Sequence, residues 1–354
     1  MKRLLLVPMF FVIAALSSGG YAVAQYAVSQ KSVEGRTTYH LIDSSRNMDV
    51  GIVPEAGNFA YEFKANGKDV LIPPDSLTAY LDRHGFGSGI PFLAPYANRI
   101  SQEYYYFEGK KYLLNDAIGN LLRDQVKHPI HGLLVFEKRW SVVKRGASDS
   151  EGAFVTSHLD FYKYPDLMAQ FPFAHTIEMT YRLKDGRLRN TTEIHNLGGA
   201  PMPVDIGFHP YFHPDGPRQD WVLSLPAKHH WILDKQLIPT GEREAPDKYL
   251  PEAKNFKLGE TFIDDNFSDL ERDADGLGRI SVKGQAHKIE VVYGKEYNFA
   301  VVYTPVSEAL VCIEPQTGPT NAFNLNHEGK FPGLIVLAPG KTFIGNFWIV
   351  PTGF

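Results

Sequence analysis

Hydrophobic side chains recur at every second position through much of the chain, and helical spacing is rare. Phe59, Tyr61 and Phe63 alternate with small or charged residues, and Asn66-Gly67 follows directly after this run. An Asn-Gly step after an alternating run is a strong hairpin signal, because both residues tolerate the positive φ of a type I′ turn. We therefore predict a β-hairpin here.

Two further segments carry the same signature. One runs over residues 104–107, turns at Glu108-Gly109-Lys110 and returns through Tyr112 and Leu114. The other has apolar residues on one face of 177–183, a turn at Asp185-Gly186 and a return over 188–194. Both predict antiparallel strand pairs.

Shorter apolar runs predict more strands, at residues 280–282, 288–293, 299–303, 310–313, 334–337 and 343–350. The last two are joined through Pro339-Gly340, and only a short helical turn is expected, near Ser76 to Leu81. Connections rich in proline and glycine, of which the chain has 24 and 31, lie between the strands, and no repeat or low-complexity linker divides the chain. These features predict an all-β fold, a large antiparallel β-sandwich in a single domain.

The N-terminus has the features of an export signal. Lys2 and Arg3 precede an apolar run from Leu4 to Leu16, and Ala22-Val23-Ala24 supplies small residues for cleavage. The run is shorter than the roughly 18 apolar residues of a spanning helix. We expect a signal peptide over 1–24, a tail over 25–36 and the β-sandwich domain over 37–354. The protein would then be periplasmic or secreted; an uncleaved anchor or a buried helix is the alternative.

Composition narrows the classes of partner. The 36 basic and 40 acidic side chains give a formal charge of −4 and are mixed along the chain. This balance predicts no nucleic-acid partner and no membrane binding after signal removal. Cys312 is the only cysteine, so no internal disulfide can form, and its apolar setting predicts packing rather than reactivity. The sequence leaves the oligomeric state open.

Four loops or strand ends gather chemically useful side chains. The stiff loop over 89–100 ends in Asn98 and Arg99, whose several directed donors suit recognition of hydroxyls. A second segment, 127–132, contains His131 before a glycine that permits close backbone approach. Taken alone, Arg99 could instead hold its own loop, and His131 could be a core or surface histidine.

The third and fourth clusters carry candidate acid–base groups. Residues 205–214 contain Asp205, His209 and His213; the two histidines lack the partners of a zinc site, so no metal is expected. At 310–317 an apolar strand delivers Glu314 at its end, before Pro315. A carboxyl group in apolar surroundings has a raised pKa, which suits a general base. A structural hydrogen bond to neighbouring backbone is the alternative role for Glu314.

In order and approximate spacing, these segments resemble the aldose 1-epimerase (galactose mutarotase-like) family, from about Tyr39 to Val350. Five matches carry the resemblance: Asn98-Arg99-Ile100, His131-Gly132, His209-Pro210-Tyr211-Phe212, Ile263-Asp264-Asp265-Asn266-Phe267, and Ile313-Glu314-Pro315-Gln316-Thr317 with Asn321-Ala322-Phe323-Asn324. Asp265 stands where the family often has histidine, and His213 where many members have asparagine. We expect these two departures to affect substrate identity more than the reaction.

The resemblance implies a cofactor-independent isomerase that interconverts the anomers of a small-molecule sugar, with a sugar cleft on one sheet. It implies Glu314 as base, a protonated His209 as acid and His131 as an assisting group. It also implies that Asn98, Arg99 and Asp264 bind the sugar. Which aldose is used stays open, as does whether it is free or polymer-linked.

Three other functions are compatible with these residues. A glycoside hydrolase would pair Glu314 with Asp264 or Asp205. A non-catalytic sugar-binding or scaffold protein could use the 13% of aromatic residues to stack on sugars, although β-rich cores use aromatics as well. A phosphosugar epimerase is disfavoured by the predicted export and by the lack of a second arginine clearly joining Arg99.

Overall fold

The computed structural model describes residues 24–83 and 87–354. The predicted signal peptide therefore lies outside the described residues, apart from Ala24. Within those residues, no helix is both long and apolar enough to cross a membrane.

The described part of the chain is built mainly from short strands. In chain order these are β1 Tyr26–Val33, β2 Arg36–Asp43, β3 Met48–Val53, β4 Phe59–Ala65, β5 Lys68–Asp69, β6 Phe92–Leu93, β7 Tyr104–Phe107, β8 Lys110–Leu113, β9 Leu122–Arg123, β10 Pro129–Ile130, β11 Ser141–Ser148, β12 Gly152–Leu159, β13 His175–Lys184 and β14 Arg187–Asn196. They continue with β15 Met202–Val204, β16 Gly207–Phe208, β17 Tyr211–Phe212, β18 Val222–Ser224, β19 Ala227–Leu233, β20 Pro239–Glu244, β21 Phe256–Lys257, β22 Ile263–Leu270, β23 Gly278–Lys283, β24 Lys288–Tyr293, β25 Phe299–Thr304, β26 Val311–Gln316, β27 Ile335–Leu337 and β28 Thr342–Thr352.

Helices are short and lie between strands. The α-helices are α1 Leu77–Arg83, α2 Pro165–Gln170, α3 Pro246–Tyr249 and α4 Ala322–His327. Single 3₁₀ turns occur at Pro54–Ala56, Asp116–Ile118, Phe161–Lys163, Arg218–Asp220 and Ala253–Asn255. The helical turn predicted near Ser76 to Leu81 is confirmed as α1.

Three larger sheets organise the strands, and neighbouring strands in them are antiparallel. The first has the order β1-β2-β3-β4-β5, and the second, with nine strands, has the order β11-β12-β13-β14-β28-β24-β23-β18-β21. The third has the order β20-β19-β22-β25-β26-β16-β6, and β17 also pairs with β26. We call this third sheet the site sheet.

The main hydrophobic core lies between the nine-stranded sheet and the site sheet. Phe208 of β16 contacts Phe347 of β28 across this interior, with ring centroids 4.7 Å apart. Ile313 and Val302 of the site sheet face the same core and are fully buried. Because side chains alternate along a strand, Glu314 on β26 points to the opposite face. The register therefore directs Glu314, and with it Asp264 of β22, away from the core.

The three predicted hairpins are confirmed, as β4–β5, β7–β8 and β13–β14. The turn residues Asn66 and Gly67 have φ of 51° and 77°, as a type I′ turn requires. The all-β sandwich is also confirmed. β27 and β28, although joined through Pro339-Gly340, do not pair with each other: β27 pairs with β15, and β28 lies between β14 and β24.

The segment 25–36, expected as a tail, instead contains β1. This strand pairs with β2 along its whole length, from Tyr26 opposite Asp43 to Val33 opposite Arg36. Tyr26 is buried at its start. Of the other seven residues of β1, four are exposed, while Val28 and Val33 pack partly against hydrophobic clusters. As an edge strand it therefore carries only a weak apolar pattern.

Candidate active site

Glu314 and His209 meet on the face of the site sheet that points away from the core. Glu314 lies on β26, and His209 follows β16, where its backbone N–H donates to the Pro91 carbonyl at 3.0 Å. Nε2 of His209 lies 3.2 Å from Oε1 of Glu314. Only 1% of Glu314 and 6% of His209 is exposed. The two titratable groups are thus adjacent and nearly dehydrated.

Neighbouring side chains hold this pair in place. Gln316, two residues along β26, donates from Nε2 to Oε2 of Glu314 at 3.0 Å. The ring of Tyr211 stacks on His209 with centroids 4.5 Å apart. The ring of His131 meets His209 edge-on at 5.3 Å. Packing of this kind limits rotation of the imidazole and fixes which nitrogen faces the carboxyl group.

Burial changes the acid–base properties of both members. Burial, reinforced by the charge of Asp264, raises the pKa of Glu314 well above its usual range, although Gln316 and Arg99 oppose the shift. Burial, reinforced by His131 and Arg99, lowers the pKa of His209 well below 6.5. Because each group resists its charged form, the resting pair is a carboxylic acid beside a neutral imidazole. A standing His209 imidazolium, expected from sequence, is therefore disfavoured.

His131 is positioned by an unusual backbone geometry. It has a φ of 61°, in the left-handed region, and its Nδ1 donates to the Ala97 carbonyl at 3.1 Å. Gly132 follows with a φ of 69°, and a Cβ there would lie 2.1 Å from the Ala94 oxygen. Burial lowers the pKa of His131 to about 4, so the ring is neutral near pH 7.

Arg99 is held by three oxygen acceptors. Its Nε donates to Asp124 at 2.9 Å, its Nη2 to Asp264 at 3.1 Å, and its Nη1 to Oδ1 of Asn98 at 3.3 Å. The same Asn98 oxygen also accepts the Arg99 backbone N–H at 2.8 Å. The guanidinium is therefore fixed in one orientation, which suits recognition of hydroxyl groups.

The two carboxylates on Arg99 have different environments. Burial alone would raise the pKa of Asp124, but the His128 backbone N–H and the Arg99 guanidinium outweigh it and lower that pKa. Burial raises the pKa of Asp264 above its usual range despite Arg99. Asp124 is thus the stable anionic partner of Arg99. Asp264 is the carboxyl group that takes up a proton more readily.

The structure brings all six predicted site residues into one region. They are Asn98, Arg99, His131, His209, Asp264 and Glu314, linked by the contacts above.

The two departures from the family pattern lie elsewhere. Asp265 sits on the opposite face of β22, and His213 is exposed and makes an edge-to-face contact with Trp221. Within the described residues, no group of three or more metal-ligating side chains is found. Cys312 is fully buried against Tyr211 and Leu310, as predicted.

Sequence reasoning missed three supporting residues. Asp124 accepts the backbone N–H groups of Val126 and His128, a local turn that its sequence could have indicated. Its contact with Arg99 spans 25 residues and has no local signal. Gln316 could have been inferred from its i+2 position beside Glu314 on one strand face. Tyr211 lies in the His209-Pro210-Tyr211-Phe212 match, but nothing in the sequence indicates that its ring stacks on His209.

The fold and the site define a galactose mutarotase-like β-sandwich with a buried acid–base pair. The aldose 1-epimerase family model matches residues 52–349, so the chain belongs to the aldose 1-epimerase family. This confirms the family resemblance inferred from the motifs.

Solved structures share the fold of this chain, and one curated relative shares part of its sequence. A galactose mutarotase-like protein from Clostridium acetobutylicum superposes with a TM-score of 0.81 at 21% identity, covering 93% of this chain and 99% of its own. Galactose 1-epimerase from Lactobacillus acidophilus gives a TM-score of 0.72 at 15% identity, covering 94% and 100%. The uncharacterised protein YihR of Escherichia coli K12 is 25% identical over 255 residues, 70% of this chain and 74% of YihR.

Proposed function

We propose that this protein interconverts the α and β anomers of a free aldose by opening and reclosing its ring. The observation that carries the proposal is the buried contact between Glu314 and His209, 3.2 Å apart. Membership in the aldose 1-epimerase family supports the same class of reaction. An acid and a base on one hemiacetal are sufficient for this chemistry, so no cofactor is required.

The reaction moves two protons and breaks one bond. The base removes the proton from the C1 hydroxyl while the acid donates a proton to the ring oxygen. The C1–O5 bond breaks, a C1 carbonyl forms, and rotation about C1–C2 exposes its other face. Closure reverses both transfers. We assign Glu314 as base and His209 as acid, with His131 assisting at the ring oxygen or C1.

The reactive state differs from the resting state by the position of one proton. At rest the proton is on Glu314, because burial raises the pKa of that residue and lowers that of His209. Transfer across the 3.2 Å contact to Nε2 gives the carboxylate and imidazolium that the reaction uses. The hydroxyl and ring oxygen of a bound sugar stabilise both charges by hydrogen bonding.

Arg99 and Asp264 are proposed to hold the sugar hydroxyls. Their mutual contact and largely buried side chains fix the donor and acceptor directions before the sugar arrives. Asn98 contributes by orienting Arg99, since its side-chain oxygen already accepts two N–H groups of that residue.

Hydrolysis would need a second carboxyl group free to act on the sugar. Asp264 is paired with Arg99, and Asp205 is buried and accepts the Ala97 backbone N–H at 3.3 Å. A purely binding protein has no need of two adjacent buried titratable groups, which are costly to desolvate. These contacts favour isomerisation over both alternatives.

We also propose export, with cleavage after Ala24. Free sugars occur outside the cytoplasm, whereas phosphosugars are largely confined to it, so export agrees with a non-phosphorylated substrate. Sequencing of the exported protein should read Gln25 first; retention of Met1 would contradict cleavage.

The direct test follows anomer exchange of a panel of free aldoses by NMR. At least one sugar should exchange faster with protein than in buffer, with no new reducing ends released from oligosaccharides. A protein that binds an aldose without accelerating exchange is a binding protein. Release of reducing ends would identify a hydrolase.

A further inference from the structure

Two consecutive carboxyl groups on β22 face opposite sides of the site sheet. Asp264 points to the proposed sugar site, where it accepts a hydrogen bond from Nη2 of Arg99 at 3.1 Å. Asp265 points to the other side, towards α3 and β19, because successive side chains alternate along a strand. Any rotation of β22 about its axis that displaces Asp265 therefore also displaces Asp264.

Asp265 is buried and accepts three hydrogen bonds. Its Oδ2 accepts the Tyr249 hydroxyl at 2.5 Å and the Asp264 backbone N–H at 3.3 Å, and its Oδ1 faces Nε2 of His230 at 3.0 Å. Only 8% of Asp265 is exposed. A buried carboxylate is tolerated when its oxygens are satisfied in this way.

His230 extends this arrangement to a second carboxyl group. Its Nδ1 lies 3.1 Å from Oε1 of Glu244 on β20, and its ring stacks on Tyr249 with centroids 4.1 Å apart. Both ring nitrogens of His230 therefore face carboxyl oxygens, one from Glu244 and one from Asp265. The chain of contacts joins β20, β19, α3 and β22. We call Asp265, His230, Tyr249 and Glu244 the rear network.

Such a network is a costly way to stabilise a sheet. Buried ionic groups contribute little net stability compared with apolar side chains of similar size, since their desolvation offsets their attraction. Their directional bonds do, however, fix one backbone arrangement. Here the fixed element is the strand end that carries Asp264, and Asp265 is bonded to the backbone N–H of that residue.

We propose that the rear network positions the sugar-holding Asp264–Arg99 pair. Asp265, Tyr249 and His230 are then positioning residues, which act through Asp264 without touching the sugar. This inference rests on the proposed function of Asp264 as a sugar contact. It assigns Asp265, one of the two departures from the family pattern, a role in sugar affinity from behind the sheet.

The test compares Asp265→Asn and Tyr249→Phe with wild type in anomer exchange and in calorimetric sugar binding. Both variants should raise KM and Kd by about 3- to 30-fold with kcat within about twofold. Tyr249→Phe removes one hydroxyl and keeps the ring, so it tests the proposal even if Asp265→Asn does not fold. His229→Gln is the matched control. It changes the neighbouring histidine, which pairs with Asp269 on the surface, and should match wild type.

Each outcome bears on a separate claim. If Tyr249→Phe folds and its KM and Kd equal those of the control His229→Gln, the rear network has no positioning role. A loss of kcat at unchanged KM would also overturn it, because the network would then act on proton transfer. If wild type binds an aldose but does not accelerate exchange, the proposed function fails. The Kd comparison then still decides whether the rear network positions the binding groups.

Discussion

Nε2 of His209 lies 3.2 Å from Oε1 of Glu314, and both side chains are almost completely buried. Burial moves the two pKa values in opposite directions, so the pair holds one proton between them over a wide pH range. One shared proton is what ring opening needs, because one group must accept while the other donates.

Replacing His209 with Gln should remove the proposed acid and leave the fold intact. Gln can occupy the space and hydrogen-bond but cannot deliver a proton, so kcat should fall by about 10²–10⁴-fold. His213→Gln is the matched control, since His213 is an exposed histidine in the same segment. Anomer exchange measured by NMR compares the two variants. Equal rates for both would contradict the acid assignment.

Arg99→Lys should weaken sugar binding more than catalysis. Lysine keeps the charge but cannot donate to Asp124, Asp264 and Asn98 together, because it lacks the planar fork of the guanidinium. We expect KM to rise about tenfold or more, the loss of roughly one hydrogen bond to a charged group. Steady-state polarimetry gives KM, with surface Arg279→Lys as control. An unchanged KM would mean that Arg99 does not help to hold the sugar.

Asp205→Asn should stabilise the protein increasingly as pH rises. Burial raises the pKa of Asp205 to about 7 from 3.8, so the folded state keeps a proton that the unfolded chain loses. Wild type therefore loses stability between about pH 4 and pH 7, while Asn carries no such penalty. At pH values above 7, the free energy of unfolding of Asp205→Asn should exceed that of wild type by about 4 kcal/mol. This figure follows from about 1.4 kcal/mol for each unit of the pKa shift. Denaturant unfolding of both proteins at pH 4 and pH 8 measures this gain. An equal stability difference between variant and wild type at the two pH values would contradict a protonated, buried Asp205.

Gly132→Ala should destabilise the segment that carries His131. The φ of 69° is unfavourable for alanine, and the new Cβ would lie 2.1 Å from the Ala94 oxygen. We expect a loss of more than about 2 kcal/mol in the free energy of unfolding. Gly199→Ala is the control, because nothing lies within 4 Å of a Cβ there. Similar unfolding midpoints for both variants would show that the close approach at Gly132 is not required.

Local patterns in the sequence were sufficient to predict the hairpins but not the edge strand β1. The turns at Asn66-Gly67 and Asp185-Gly186 are specified by residues next to each other, so period-two alternation places their strands correctly. Only Tyr26 of β1 is fully buried, and the strand is held by backbone hydrogen bonds to β2, which leave little trace in the side-chain pattern.

The site residues could be proposed from motifs, but their long-range partners could not. Arg99 reaches Asp124 across 25 residues and Asp264 across 165, and only the folded sheet reveals those contacts. The direction of Asp265, away from the sugar site, likewise depends on the register of β22. The protonation of the Glu314–His209 pair was also beyond sequence, since it depends on the burial of both groups together.

The most direct test of the central claim is anomer exchange by Glu314→Gln, compared with the exposed control Glu308→Gln. Glu314→Gln keeps the shape of the side chain but removes the proton acceptor. It should lose exchange activity by at least about 10²-fold while still binding the aldose in calorimetry. Glu308→Gln should exchange at the wild-type rate. Wild-type turnover by Glu314→Gln would contradict the assignment of Glu314 as the base.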